Sequence, residues 1–301
     1  MRGETFVPGN GTLSSTFGGV ALLIGAGLLS FAPKAILAAE PGAIPVLTPD
    51  AGSLWVPDRA AGDDFLPPKS GPGPIVSDKE HLYNPLAQSQ GQLTFRVADL
   101  NNPILQPWAK AQMQKVNDEV LAGKIPFTAR ERCWPGGVPG LDVYERDRPF
   151  YFLQTPKEVL IVTEYDQQVR RIRMNEAHSK NPKPSWYGES VGRYEGDTLV
   201  VDTIGLNDKT FVDNYRTPHT TRLHVVERFT LLDGGKTLEA EIRVEDPGAF
   251  TTPWTAIQRW RLREGRPVTE VVCAENNFGY YQYDVRPIPT DRKSTRLNSS
   301  H

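Results

Sequence analysis

The sequence predicts a mainly β protein: an antiparallel meander closing into a barrel or a strongly curved sheet, lipocalin-like, led by one N-terminal helix. A two-sheet β-sandwich is the alternative. Three observations carry this. After Arg148 the chain runs in short segments rich in Val, Ile, Thr and aromatics, broken by turn residues. The breaks are short enough for hairpins, and eight or nine consecutive hairpin strands curl readily, which removes exposed edges. With 26 Gly and 26 Pro in 301 residues, turns are favoured over long helices. At 39% hydrophobic and 23% charged the composition is globular, which excludes wholesale disorder. A formal net charge of -2 removes the bulk-electrostatic case for nucleic acid or an acidic membrane as partner.

In chain order, residues 1–39 read as a signal peptide. The apolar run Phe17–Phe31 is short for a membrane span and exits through the small-residue string Ala35–Ala39. Residues 40–100 read as a Pro/Gly-rich coil, typified by Leu66–Pro74 (LPPKSGPGP). Residues 101–290 form a single β-rich domain. Its leading helix spans 102–121, with Pro107 in the first turn and Trp108, Met113, Val116 and Val120 or Leu121 at helical spacing. Strands are expected near 149–154, 158–164, 168–174, 189–194, 197–204, 221–232, 236–246, 254–263 and 268–275. Residues 291–301 (DRKSTRLNSSH) look like a sequencing adapter translated in frame and are left out of the fold reasoning.

Alternation predicts what the interior holds. Leu238, Ala240, Ile242 and Val244 share one face of their strand, and Glu239, Glu241, Arg243 and Glu245 share the other. By the same rhythm Glu227 is the lone charge among Leu223, Val225, Phe229 and Leu231. Gln258 falls among Trp254, Ala256, Trp260 and Leu262, and Arg170 shares a face with Ile172 and Met174. A buried carboxylate needs a partner or a raised pKa, so Glu227 is expected to meet Arg170 or Gln258 in a polar patch inside a greasy cavity.

The stretch Tyr194–Lys209 (YEGDTLVVDTIGLNDK), followed by Thr217–Thr220 and Leu223–Phe229 (LHVVERF), resembles a large uncharacterised family of exported environmental bacterial proteins. The turn Cys133–Pro139 (CWPGGVP) and the later CAENN at 273–277 are similar to its other motifs. The resemblance spans about 130–277. It implies an exported β-rich domain and brings no catalytic residues with it.

Candidate sites follow from residue chemistry. Cys133 and Cys273 can pair in only one way, and an exported chain favours that disulfide over a free or nucleophilic thiol. The long loop 205–220 offers Asp208 and His219, which with Glu227 would make an acid–base set for a lyase, isomerase or hydrolase. The competing reading has His219 bonded to backbone and the Asp and Asn residues capping turns. Trp254 and Trp260 suit a planar ligand or plain core filling, and with Arg170 and Gln258 they make the candidate ligand-binding set. His178, His219 and His224 lie on separate elements without ligand spacing, so no metal is expected. No nucleotide-binding glycine motif is present, so no cofactor is expected either. Three functions compete. The first is an exported barrel binding a small apolar or aromatic molecule in the periplasm or outside the cell, with no nucleic-acid partner and no membrane contact beyond the export signal. The second is an enzyme on the same barrel, and the third is a surface interaction module using residues 40–100. Whether any reaction is catalysed stays open.

Overall fold

A computed structural model describes residues 44–50, 52–58, 64–83, 95–124, 133–140, 149–164, 168–266 and 268–273. Residues 1–39 and 291–301, read above as a signal peptide and an adapter tail, lie outside the described residues. The chain divides into two compact units, 1–40 and 41–301, and everything described belongs to the second.

The described residues form a closed barrel of nine strands in sequential order. They are β1 (Leu54–Pro57), β2 (Phe150–Gln154), β3 (Glu158–Thr163), β4 (Val169–Met174), β5 (Glu189–Glu195), β6 (Thr198–Ile204), β7 (His224–Leu232), β8 (Thr237–Glu245) and β9 (Trp254–Arg263). The helix α1 (Pro107–Leu121) precedes β2. The predicted barrel is therefore present, and the sandwich alternative is not.

Three details differ from the sequence reading. The ring is closed by β1, drawn from the segment read as coil, which pairs antiparallel with both β9 and β2. Residues 268–273 make no strand, and the rest of the expected final strand lies outside the described residues. Trp55 explains the exchange: Leu54 and Trp55 are fully buried, and a large apolar residue in a short strand outweighs the turn-rich flanks. Second, β4 and β5 pair in parallel, through Ile172↔Ser190, Arg173↔Val191 and Met174↔Gly192. A parallel step needs a crossover rather than a hairpin, and residues 175–188 supply it. Third, α1 starts at Pro107 rather than Asn102. Proline disfavours helical backbone in the residue before it, so Gln106 is extended at φ -66° and ψ 150°, and Leu105 instead bridges to Phe250.

Alternation sorts the barrel wall as expected. On β8 the buried residues include Leu238, Ala240, Ile242 and Val244, and on β9 Trp254, Ala256, Gln258 and Trp260. Cross-strand pairs Glu227↔Ile242↔Ala256 and Thr203↔Val225↔Val244↔Trp254 place these side chains in common layers. Aromatic rings fill the middle: Phe150, Phe152, Phe229 and Trp260 meet edge-on at centroid distances of 5.3–5.7 Å. This is the geometry that ring quadrupoles favour. Gly192 faces this interior because a Cβ there would lie 2.7 Å from Ile172 and 2.8 Å from Met174.

Helix α1 docks on the β8–β9 connection. Gln106 N–H donates to Ala249 O at 2.8 Å, and the Trp108 indole donates to Gly248 O. Met113 and Val120 are buried as the stripe predicts and Val116 is half-buried, whereas Trp108 and Leu121 are exposed at 38% and 44%, and Ala109 is buried in place of Trp108. Asn117 is buried on the same stripe, its amide donating to and accepting from the Ala98 backbone at 2.9 Å each.

Candidate functional site

Glu227 has no solvent exposure and Arg170 has 1%. Strand β7 delivers the carboxylate and β4 the guanidinium, both turned inward by their two-residue period. Arg170 Nη1 donates to Glu227 Oε1 at 2.8 Å, and Nη2 donates to Oε2, so the pair is a bidentate fork. Arg170 Nη2 also donates to Thr203 Oγ1 at 2.9 Å, and Nε to Ser190 Oγ at 3.3 Å. The two hydroxyls bond each other at 2.9 Å. Of the two expected partners Glu227 meets Arg170, while Gln258 sits one layer further along at the Ala240↔Gln258 pair, buried.

Trp254 lies in the layer of Ser190 and Thr203, 1% exposed, with its ring 6.1 Å from Phe65 and 5.6 Å from Phe250. Its indole N–H is fully buried and has no hydrogen-bond partner among the described residues. Buried donors of this kind are rare in folded proteins because each one costs desolvation without return. Trp260 is buried in the aromatic cluster at the far layer.

The loop 205–223 does not join His219, Asp208 and Glu227 by hydrogen bonds. His219 Nδ1 faces Thr220 O at 3.1 Å, and a carbonyl only accepts, so Nδ1 carries the proton. Nε2 is then the acceptor for Thr210 Oγ1 at 3.0 Å. Burial lowers the pKa of His219, which suits this neutral ring. Asp208 is exposed, and Glu227 is held by Arg170. The loop is anchored instead by two buried aspartates. Asp213 accepts from Tyr215 N, Thr217 N and Thr217 Oγ1 at 2.7–3.1 Å. Burial, opposed by these bonds, pushes its pKa up to about 6. Asp246 accepts from Thr220 N, Thr220 Oγ1 and Gly248 N at 2.5–2.9 Å, tying the loop to the β8–β9 connection.

One cluster was not expected. On the outer wall, His178 from the 175–188 crossover and His224 from β7 both place Nε2 against Asp202 Oδ1, at 2.8 and 3.0 Å. Nδ1 of His178 faces Glu189 Oε1 at 3.1 Å. Alternation does put Asp202 and His224 on the polar face, but which outward residues become neighbours depends on register across three strands. Among the described residues no three His, Cys, Asp or Glu side chains are grouped so as to hold a metal ion.

Cys133 and Cys273 are disulfide-bonded, with Cα atoms 5.6 Å apart across 140 residues. No helix among the described residues is long and apolar enough to cross a membrane. A groove runs outside the barrel, between residues 44–50 and β2. Its volume is about 730 Å³ and it is lined by Val46, Tyr151, Leu153 and Val268 among others. No protein-family model matches the chain, and no curated protein is significantly similar to it.

Proposed function

We propose that this protein is an exported β-barrel that binds a small, mostly apolar or aromatic molecule inside the barrel, and that it belongs to the exported family its motifs resemble. The observation that carries the binding reading is the buried indole N–H of Trp254, which has no partner among the described residues. A ligand carbonyl, ether or hydroxyl oxygen set against it would supply the missing acceptor. The apolar body would lie at the Trp254 end beside Phe65 and Phe250, away from the packed rings of Phe150, Phe152, Phe229 and Trp260. The Arg170–Glu227 pair with Ser190 and Thr203 gives the only charged inward group described on these strands, and Gln258 adds an amide one layer away. Small-molecule sites combine this kind of apolar lining with a few placed polar groups. The disulfide supports a periplasmic or secreted location, because such bonds persist in oxidising compartments.

Native mass spectrometry of the protein purified from its exporting host tests for a retained molecule. Fluorescence titration with a panel of apolar carbonyl compounds then reads affinity. Trp254→Phe, which keeps the ring and removes the donor, should weaken binding at least about tenfold, the value of one well-made hydrogen bond. Unchanged binding in that variant rejects the interior site. Loss on Leu153→Glu instead would place binding in the outer groove.

A further inference from the structure

We propose that the groove outside the barrel is a binding site in its own right, built for the straight hydrocarbon chain of an alkylammonium ion. Its two walls are held in place by the protein. One is the outer face of β2, and the other is the strip 44–50, which runs antiparallel to it. Leu47 N–H donates to Gln154 Oε1 at 2.8 Å, Gln154 Nε2 donates to Pro45 O at 2.8 Å, and Phe152 N–H donates to Thr48 Oγ1 at 2.9 Å. The buried indole of Trp55 donates to Leu47 O at 2.9 Å. Leu47 is fully buried, and the two-residue rhythm of an extended strip turns Val46 the other way. Val46 and Ile44 are 64% and 50% exposed, and Leu153 on the β2 side is 48% exposed. A strip tied by these four bonds cannot fold its outer side chains inward, so the apolar surface stays open to solvent. Fixed apolar surface of this kind marks a site of interaction.

The lining selects the ligand. The groove holds about 730 Å³, within the roughly 300–1,000 Å³ of small-molecule sites. Gln154 also donates to the Tyr194 hydroxyl at 2.7 Å, and Thr155 Oγ1 donates to Glu158 O at 3.0 Å. Gln154, Thr48 and Thr155 are thus engaged by the protein itself, which leaves apolar contact to hold the body of the ligand. Among the described residues that line the groove, Asp50 alone is charged. It is exposed, and its bonds from Gly52 N and Ser53 Oγ, at 2.8 and 2.9 Å, both fall on Oδ1. Arg266 N–H donates to Gly52 O at 3.1 Å and so brings Val268 to this same end, while the Arg266 side chain lies 3.2 Å from Glu164. A chain laid over Val46 and Leu153 with its head at Asp50 therefore meets negative charge, which favours an ammonium and disfavours a carboxylate. The site does not rest on the interior one at Trp254.

Isothermal titration of the intact protein with octyl-, decyl- and dodecylammonium chloride, each below its micelle concentration, tests the site. Binding should saturate at one chain per protein and tighten about two- to fourfold per added methylene, the range from half to full burial of each group. Decanoate should bind at least about threefold more weakly than decylammonium at low salt, and Asp50→Asn should erase that difference. Val46→Ser combined with Leu153→Ser should weaken every chain at least about tenfold. Should that pair disturb folding, Leu153→Ser alone is read in the same way. Trp254→Phe, which reports on the interior, should leave these affinities unchanged. The absence of saturable binding, an affinity independent of chain length, equal binding of decanoate and decylammonium, wild-type affinity in the serine variant, or lost affinity in Trp254→Phe overturns the site.

Discussion

The buried Arg170–Glu227 pair makes a prediction about stability that a surface pair would not. Both side chains are out of water, at 1% and 0% exposure, so neither charge can recover hydration when the other is removed. Arg170→Met strips the buried carboxylate of both guanidinium bonds, and Glu227→Gln leaves a guanidinium with one neutral oxygen in place of a fork. Breaking a buried pair on one side costs about 3–5 kcal/mol, a large share of the roughly 5–15 kcal/mol that holds a domain together. For a domain of this size that lowers the thermal midpoint by roughly 10 °C. Removing both, as Arg170→Met with Glu227→Leu, leaves Ser190 and Thr203 bonded to each other at 2.9 Å and no orphaned charge. The double variant should therefore be more stable than either single one and lie within about 2 kcal/mol of wild type. Urea unfolding of the four proteins gives the double-mutant cycle. Single variants that each cost under about 1 kcal/mol, or a double variant as unstable as the sum of the singles, would refute the claim that these groups are desolvated and coupled.

Three further outcomes follow from the same physics. Asp213 keeps its proton up to about pH 6 in the folded protein, against about 3.9 in an unfolded chain. Its contribution is therefore fully present below pH 3.9 and is lost as pH rises through 6. Asp213→Asn should gain about 2–3 kcal/mol on wild type between pH 4 and 7.5 in paired urea titrations, and a constant difference would contradict the assignment. Gly188→Ala should cost about 2–3 kcal/mol in chemical denaturation. The residue has φ +62° and an added Cβ would meet Ile204 O at 2.4 Å, so a neutral effect would mean that turn is not as described. Reducing the Cys133–Cys273 bond, which spans 140 residues, should lower stability by about 5 kcal/mol on the chain-entropy account. An unshifted unfolding midpoint in reductant would show that the unfolded chain gains nothing from the lost link.

Much of the wall was legible because a strand's two-residue period is local. β7, β8 and β9 fall within a few residues of their expected bounds, and the inward turn of Glu227 follows from counting along one strand. What escaped depends on relations between distant segments. Nothing near Leu54 distinguishes a four-residue strand from the coil around it until β9 and β2 are there to pair with it. The parallel β4–β5 step was hidden because residues 175–188 read equally well as an irregular loop. The site divides the same way. Arg170 as partner to Glu227 was one of two open choices, since a strand's face can be read from its own residues but the depth of a neighbour's residue cannot. The His178–Asp202–His224 contact needed register across the wall. The orphaned Trp254 donor was invisible in principle, because a missing partner is a property of the packed interior.

The closing strand fixes when, during biosynthesis, the structure can exist at all. β1 meets β9, and the Asp58–Arg261 contact on that seam joins residues 203 positions apart. A ribosome delivering this polypeptide from its N-terminus holds an open, unsealed sheet until β9 emerges. A sheet whose seam cannot form early stays open through the synthesis of the other strands, and the ring closes only after β9 has appeared.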